Sequence, residues 1–158
     1  MRVISAVTVL TICLGQPLRA QIDVALHAGA ASNLTTGSVE VGAFLAIRSA
    51  ARVGLRLEAA YPASLDLLWV GACLTATPSP RAALQAYSVL GLGAVIPSGG
   101  AVSGGGAAHA AFSAGLGLRK LLVRSIFGFA ELRGLWATRS DAVKMPLVSA
   151  RAGVQLRL

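Results

Sequence analysis

The residues able to do chemistry are few and widely spaced. The chain has two histidines, His27 and His109, and two cysteines, Cys13 and Cys73. A hydrolytic site needs a base within hydrogen-bond reach of its nucleophile and a third group to orient that base. His109 and Ser113 come closest to such a spacing, yet residues four apart on an extended chain stand about 13 Å from one another. The histidines, cysteines and scattered carboxylates show no metal-ligand spacing. Gly91-Leu92-Gly93 lacks the third glycine of a dinucleotide-binding turn, and no Gly-Lys-Ser or Gly-Lys-Thr follows it. No catalytic residue, metal ligand or cofactor-binding residue is therefore assigned, and the chain is not expected to be an enzyme.

What remains is a set of charges with an arginine bias. Glu40, Glu58 and Glu131, with Asp23, recur among Arg48, Arg52, Arg56, Arg119, Arg133, Arg151 and Arg157. Arginine rather than lysine suits ion pairing inside protein or contact with phosphate. No aromatic-studded basic cluster or helix accompanies the excess, so nucleic acid is not expected as a partner.

These charges must be held by an unusually apolar chain. Of its 158 residues 55% are hydrophobic and 13% charged, with a mean hydropathy of +0.71. A soluble domain of this length carries more charge, so part of the surface must meet lipid or another protein. Residues 1–20 read as a signal peptide: Arg2 supplies the positive start, Val3 to Leu14 an apolar run too short to span a bilayer, and Pro17-Leu18-Arg19-Ala20 the cleavage region. The remainder, residues 21–158, reads as one domain. Without Arg2 and Arg19 it keeps twelve basic against six acidic residues, ten of the twelve being arginine. Cys73 is then the one cysteine left, expected to be inert, packed or facing lipid.

The elements that position the charges have period two. In residues 39–48 one parity holds Val39, Val41, Ala43, Leu45 and Ile47 while the other holds Glu40 and Arg48. Val53, Leu55 and Leu57 alternate with Arg52, Gly54, Arg56 and Glu58. Val148, Ala150, Ala152, Val154, Leu156 and Leu158 alternate with Ser149, Arg151, Gly153, Gln155 and Arg157. Such segments are strands with one apolar and one polar face. About eight are expected, at 22–30, 37–48, 52–60, 66–76, 83–96, 107–118, 124–136 and 146–158. Most reach the nine to eleven residues that a tilted strand needs to cross a bilayer. An even number lets the first and last pair, leaving no sheet edge in hydrocarbon. The fourth is irregular, because Leu68 and Val70 share the parity of Asp66. A helical alternative exists, since Arg48, Arg52 and Arg56 are also spaced for one helix face, but eighteen glycines and the repeated alternation argue against it.

Facing follows from magnitude. A lysine or arginine pointing into lipid at mid-depth costs roughly 2–4 kcal/mol, so the polar parity must point inward. The expected fold is an all-β, antiparallel, up-and-down transmembrane β-barrel. Its lumenal charge network would comprise Asp23, Glu40, Arg52, Arg56, Glu58, Glu131, Arg133, Arg151 and Arg157, with Asp23 and Arg157 meeting at the seam. Eight strands leave room for side chains rather than a wide channel.

This pattern resembles the small eight-stranded outer-membrane barrels of the OmpX and OmpA-domain type, over the whole of residues 21–158. The resemblance implies a place in the bacterial cell outer membrane, with outer-membrane lipid and the barrel-insertion machinery as partners. It implies termini on the periplasmic side, connections near 31–36, 61–65, 97–106 and 137–145 outside, and turns near 49–51, 77–82 and 119–123 inside. The chain departs from it in ending Leu156-Arg157-Leu158 instead of in an aromatic residue. It also has few residues for an aromatic belt, Tyr61, Trp69, Tyr87 and Trp136 being the candidates. A structural or surface-interaction role is expected, with a side-chain-plugged lumen and an unidentified surface ligand. Two alternatives are a narrow, porin-like, anion-preferring pore carried by Arg56, Arg133 and Arg151, and an enzyme acting on lipid A or phospholipid. Lipid A deacylases of similar size use a closely spaced His and Ser near the chain end, whereas here that strand has Ser149 and no histidine.

Overall fold

Alternating residues become strands because extended backbone sends successive side chains to opposite faces, and this chain keeps its apolar residues on one of them. The computed structural model describes residues 21–33, 35–48, 52–80, 82–98, 107–138 and 146–158. The signal peptide expected at 1–20, the turn expected at 49–51 and most of the connections expected at 97–106 and 137–145 lie outside the described residues. Eight strands form: β1 (Gln21–Ser32), β2 (Gly37–Arg48), β3 (Val53–Pro62), β4 (Leu67–Ala76), β5 (Leu84–Pro97), β6 (His109–Val123), β7 (Ile126–Ala137) and β8 (Leu147–Arg157). Each pairs antiparallel with its sequence neighbours, and β1 pairs with β8 from Asp23↔Arg157 to Ser32↔Val148, so the sheet closes in the order β1 to β8. Closure satisfies every strand edge within the chain, as a bilayer core requires.

The apolar parity is on the outside. Leu26, Val39, Leu57, Leu92, Leu116 and Leu132 are among the exposed aliphatics, while Asp23, Glu40, Arg56, Glu58, Glu131, Arg133 and Arg151 are buried in the lumen. The residues whose spacing could have made a helix instead fall at the end of β2 (Arg48), in the bend before β3 (Arg52) and within β3 (Arg56).

Several features differ from the sequence expectation. Arg52 is not lumenal. It lies in the bend before β3 and is exposed, and its carbonyl accepts a hydrogen bond from the Thr77 backbone N–H at 2.7 Å. The alternation runs formally through Arg52, but the chain has already begun to turn there. Residues 119–123 are not a turn. β6 continues to Val123 through a register shift between Leu121 and Val123, and the reversal is made by Arg124 and Ser125, with Arg124 left-handed at φ 43°.

The irregular parity of the fourth segment also has a local cause. Asp66 is not in the strand; it ends a short 3-10 turn (Ala63–Leu65) in the left-handed conformation, φ 47°. From Leu67 onward the alternation is regular, with Leu67, Trp69 and Cys73 buried. Trp69 and Tyr87 therefore leave the aromatic belt and point inward. Phe112 and Trp136 stack on the outside, 5.7 Å between ring centroids.

The lumen is not polar throughout. At the end bearing the β3–β4 and β7–β8 connections, Ala31, Ala60, Leu67, Trp69, Val95, Ala111, Leu135 and Leu147 form an apolar cluster on the inward parity. Nearer the other end, Ala25, Phe44, Ala46 and Phe129 form a second. Charges occupy the layers between and below these clusters. A narrow barrel must fill its interior with side chains, and small and aromatic residues complete what the charged ones leave.

Candidate functional site

Neighbouring strands carry the central charges at matched heights. β3 contributes Arg56 and Glu58 two residues apart on its inward face. β7 contributes Glu131 and Arg133 in the same way, and Arg151 on β8 stands directly opposite Glu131 in the register. Arginine stems are long enough to cross so narrow a lumen, so the pairing runs between walls as well as along them.

Glu58 is the hub. Its Oε1 accepts from Arg151 Nη1 at 2.7 Å and also from Arg133 Nη1, while its Oε2 faces Arg56 Nη2 at 2.5 Å. Glu131 takes Arg56 Nη1 at 2.8 Å and the Tyr87 hydroxyl at 3.0 Å on Oε2. Its Oε1 takes Arg151 Nε at 3.1 Å and Arg151 Nη2. Arg151 Nη1 lies 3.5 Å from Glu40 Oε1, to which His27 Nδ1 approaches at 3.9 Å. The Arg56 guanidinium lies 3.8 Å above the Phe44 ring, a cation–π contact on its free face. Arg133 donates to Cys73 Sγ at 2.8 Å, which places that thiol in the lumen rather than against lipid.

The layer thus sets Arg56, Arg133 and Arg151 against Glu40, Glu58 and Glu131, three charges against three. The expected surplus of lumenal arginine is absent from this level and falls nearer the termini. There Asp23, fully buried, faces Arg48 Nη2 at 2.6 Å and Arg157 Nε at 3.6 Å, so the residues expected at the seam are brought together. Arg157, its side chain 31% exposed, also lies over Phe127. Arg119 donates to the Gln85 side-chain oxygen at 2.6 Å and to the Thr77 hydroxyl at 3.3 Å. Of the nine residues expected in the network, Arg52 alone lies outside it. Tyr87 and Cys73 belong to it and were missed.

Between the charge layer and the apolar cluster above it, a cavity of about 20 Å³ is lined by Glu58, Trp69, Arg133 and Leu147 among others. That is room for about one water. Among the described residues the register sets Gly42 and Gly153 directly beside His27, and Val95 directly beside His109, none of them a nucleophile.

Solved structures that share this architecture include bacterial outer-membrane barrels. The N-terminal β-barrel domain of Pseudomonas aeruginosa OprF is similar at a TM-score of 0.67 and 17% identity, over 89% of this chain and 100% of that one. Neisserial surface protein A is similar at 0.67 and 12%, over 88% and 97% of the respective chains. Ail, the attachment invasion locus protein of Yersinia pestis, solved in complex with the heparin analogue sucrose octasulfate, is similar at 0.53 and 9%, over 88% and 97%. No family model and no curated protein sequence matches the chain. The likeness is one of fold: a closed, eight-stranded antiparallel barrel of the transmembrane kind.

Proposed function

We propose that this chain is a small bacterial outer-membrane barrel with a structural or surface-interaction role, its lumen closed by side chains. The observation that carries the reading is the neutral layer of three arginines and three glutamates, with a cavity of about 20 Å³ above it. A hydrated ion passing that level would have to displace several buried ion pairs, each of which is costly to break from one side. The outward apolar parity and closed edges support a bilayer as the solvent. The location and the surface role draw support from the outer-membrane barrels to which the fold is similar. The reading includes no catalysis and no cofactor.

The test has two stages. Refolded protein is run boiled and unboiled on a gel, where a mobility shift reports a closed barrel, and is then added to planar bilayers. The expected result is a shift without single-channel conductance. Steady anion-selective conductance would establish the pore instead. Lipid A whose mass changes only when the protein is expressed would establish an enzyme.

A further inference from the structure

The lipid-facing wall is uniform except at one place. On the outward parity of the eight strands Lys120 is the only charged residue, two positions along β6 from the outward Leu118. Such a residue is tolerated near the interface and costs roughly 2–4 kcal/mol at mid-depth, so Lys120 belongs near one interface, with the exposed Leu121, Leu122 and Val123 following it. Phe112 and Trp136 stack on the same wall toward the opposite interface. From Phe112 to Lys120 is about 26 Å along the strand, about 20 Å along the bilayer normal at a barrel's usual tilt.

Two residues before Lys120 on β6 the wall is hollow. Ala86, Ala130 and Ala150, on β5, β7 and β8, leave a depression along which Leu116, Leu118 and Leu132 stand. The resulting groove has a volume of about 580 Å³. Beyond Lys120 the exposed Arg124 makes the β6–β7 turn. Among the described residues, this end of the barrel exposes Arg52, Lys120 and Arg124 and no acidic side chain; Asp23 is buried there against Arg48. The opposite end exposes Asp66.

We propose that this groove and its two cations form a binding site for one anionic glycerophospholipid, an acyl chain lying in the groove and the phosphate at Lys120 and Arg124. Two cations four residues apart at one end of β6 can converge on a single phosphate diester, and the second phosphate of a lipid A headgroup would then have neither of them. The proposal rests on the membrane reading above, and its test separates the two.

Refolded protein is offered phosphatidylglycerol, phosphatidylcholine or lipid A at equal concentration and examined by native mass spectrometry, with unboiled gel mobility as the control for folding. One phosphatidylglycerol per barrel should be retained in preference to the other two. A basic side chain near an anionic surface is worth about fivefold in affinity, so Lys120→Gln with Arg124→Gln should weaken retention about 25-fold. Ala130→Phe should abolish it by filling the groove with both charges intact, and serves as the independent variant if the double substitution fails to fold. Equal retention of phosphatidylglycerol and phosphatidylcholine, preference for lipid A, a protein dimer in place of the lipid adduct, or retention unchanged in a folded variant would each overturn the site. Loss of the mobility shift in the unaltered chain would instead overturn the barrel reading beneath it.

Discussion

Arg151 reaches across the lumen from β8 to Glu58 on β3, 93 residues earlier in the chain, and closes that distance to 2.7 Å while also holding Glu131 on the adjacent strand. One guanidinium therefore ties three strands together at the level where a channel would otherwise run. Planar, fork-like donors suit this better than a lysine ammonium, which accounts for the arginine bias of the inward parity.

Glu58 faces three arginines, so removing its charge leaves each of them short of a partner. Breaking a buried ion pair from one side costs about 3–5 kcal/mol, and Glu58→Gln is expected to lose that much stability, read as a lower urea midpoint by tryptophan fluorescence. Adding Arg151→Gln should recover part of the loss, because the second change removes the charge that the first stranded. Additive losses in the double variant would show that Glu58 and Arg151 are not coupled.

The closed lumen makes a prediction about the sign of any leak. Trp69 and Arg133 lie together, the guanidinium 6.0 Å from the ring, at the boundary of the charge layer and the apolar cluster. Trp69→Ala with Arg133→Ala should open a narrow path and leave two arginines against three glutamates. Bilayers should then show brief conductance that favours cations, where the unaltered protein shows none. An anion-favouring reversal potential in the variant would mean that the path avoids this layer.

The two tryptophans face opposite solvents, which fluorescence can separate. Trp69 is 4% exposed inside the barrel and Trp136 is 43% exposed on the wall. In lipid brominated along its acyl chains, the Trp69→Phe variant should be quenched several-fold and the Trp136→Phe variant scarcely at all. Strong quenching of both variants would mean that β4 is set one residue out of register, since a single-residue slip would turn Trp69 outward.

How far the fold was legible depended on contrast between the faces. β2, β3 and β8 carry charge on one parity and aliphatics on the other, so their facing is legible in the sequence. β5 offers no such contrast: Tyr87, Val89 and Val95 point inward and Leu90, Leu92 and Ile96 outward, all apolar. Tyr87 was accordingly assigned to a belt by residue type, and its bond to Glu131 could not be foreseen. Only its parity with Gln85 hinted at it. Alternation also says nothing about where a strand stops. Arg52 and Arg119 both fit the inward pattern, yet one lies in a bend and the other in mid-strand, and the difference is made by pairing with β4 and β7. The apolar upper lumen was invisible because inward Leu67 and Val95 look no different in sequence from lipid-facing ones.

Two glycines test whether inward space, rather than backbone conformation, sets the sequence of the narrow barrel. No glycine has positive φ among the described residues, so alanine is conformationally acceptable at each of them. A methyl group on Gly93 would overlap the Val70 carbonyl oxygen and the Gly71 Cα as well as the Trp69 ring, and backbone on the neighbouring strand cannot turn aside as a side chain can. Gly37, at the start of β2, has nothing within 4 Å of where a methyl would lie. Gly93→Ala is therefore expected to cost about 1–3 kcal/mol through overpacking, and to shift Trp69 fluorescence in the Trp136→Phe background. Gly37→Ala should be neutral or stabilise by about 0.4–1 kcal/mol through the unfolded chain. Equal effects of the two substitutions on the urea midpoint would show that steric room at Gly93 is not what keeps it glycine. A loss at Gly93 without any change in Trp69 fluorescence would assign the cost to the β4–β5 backbone contact alone.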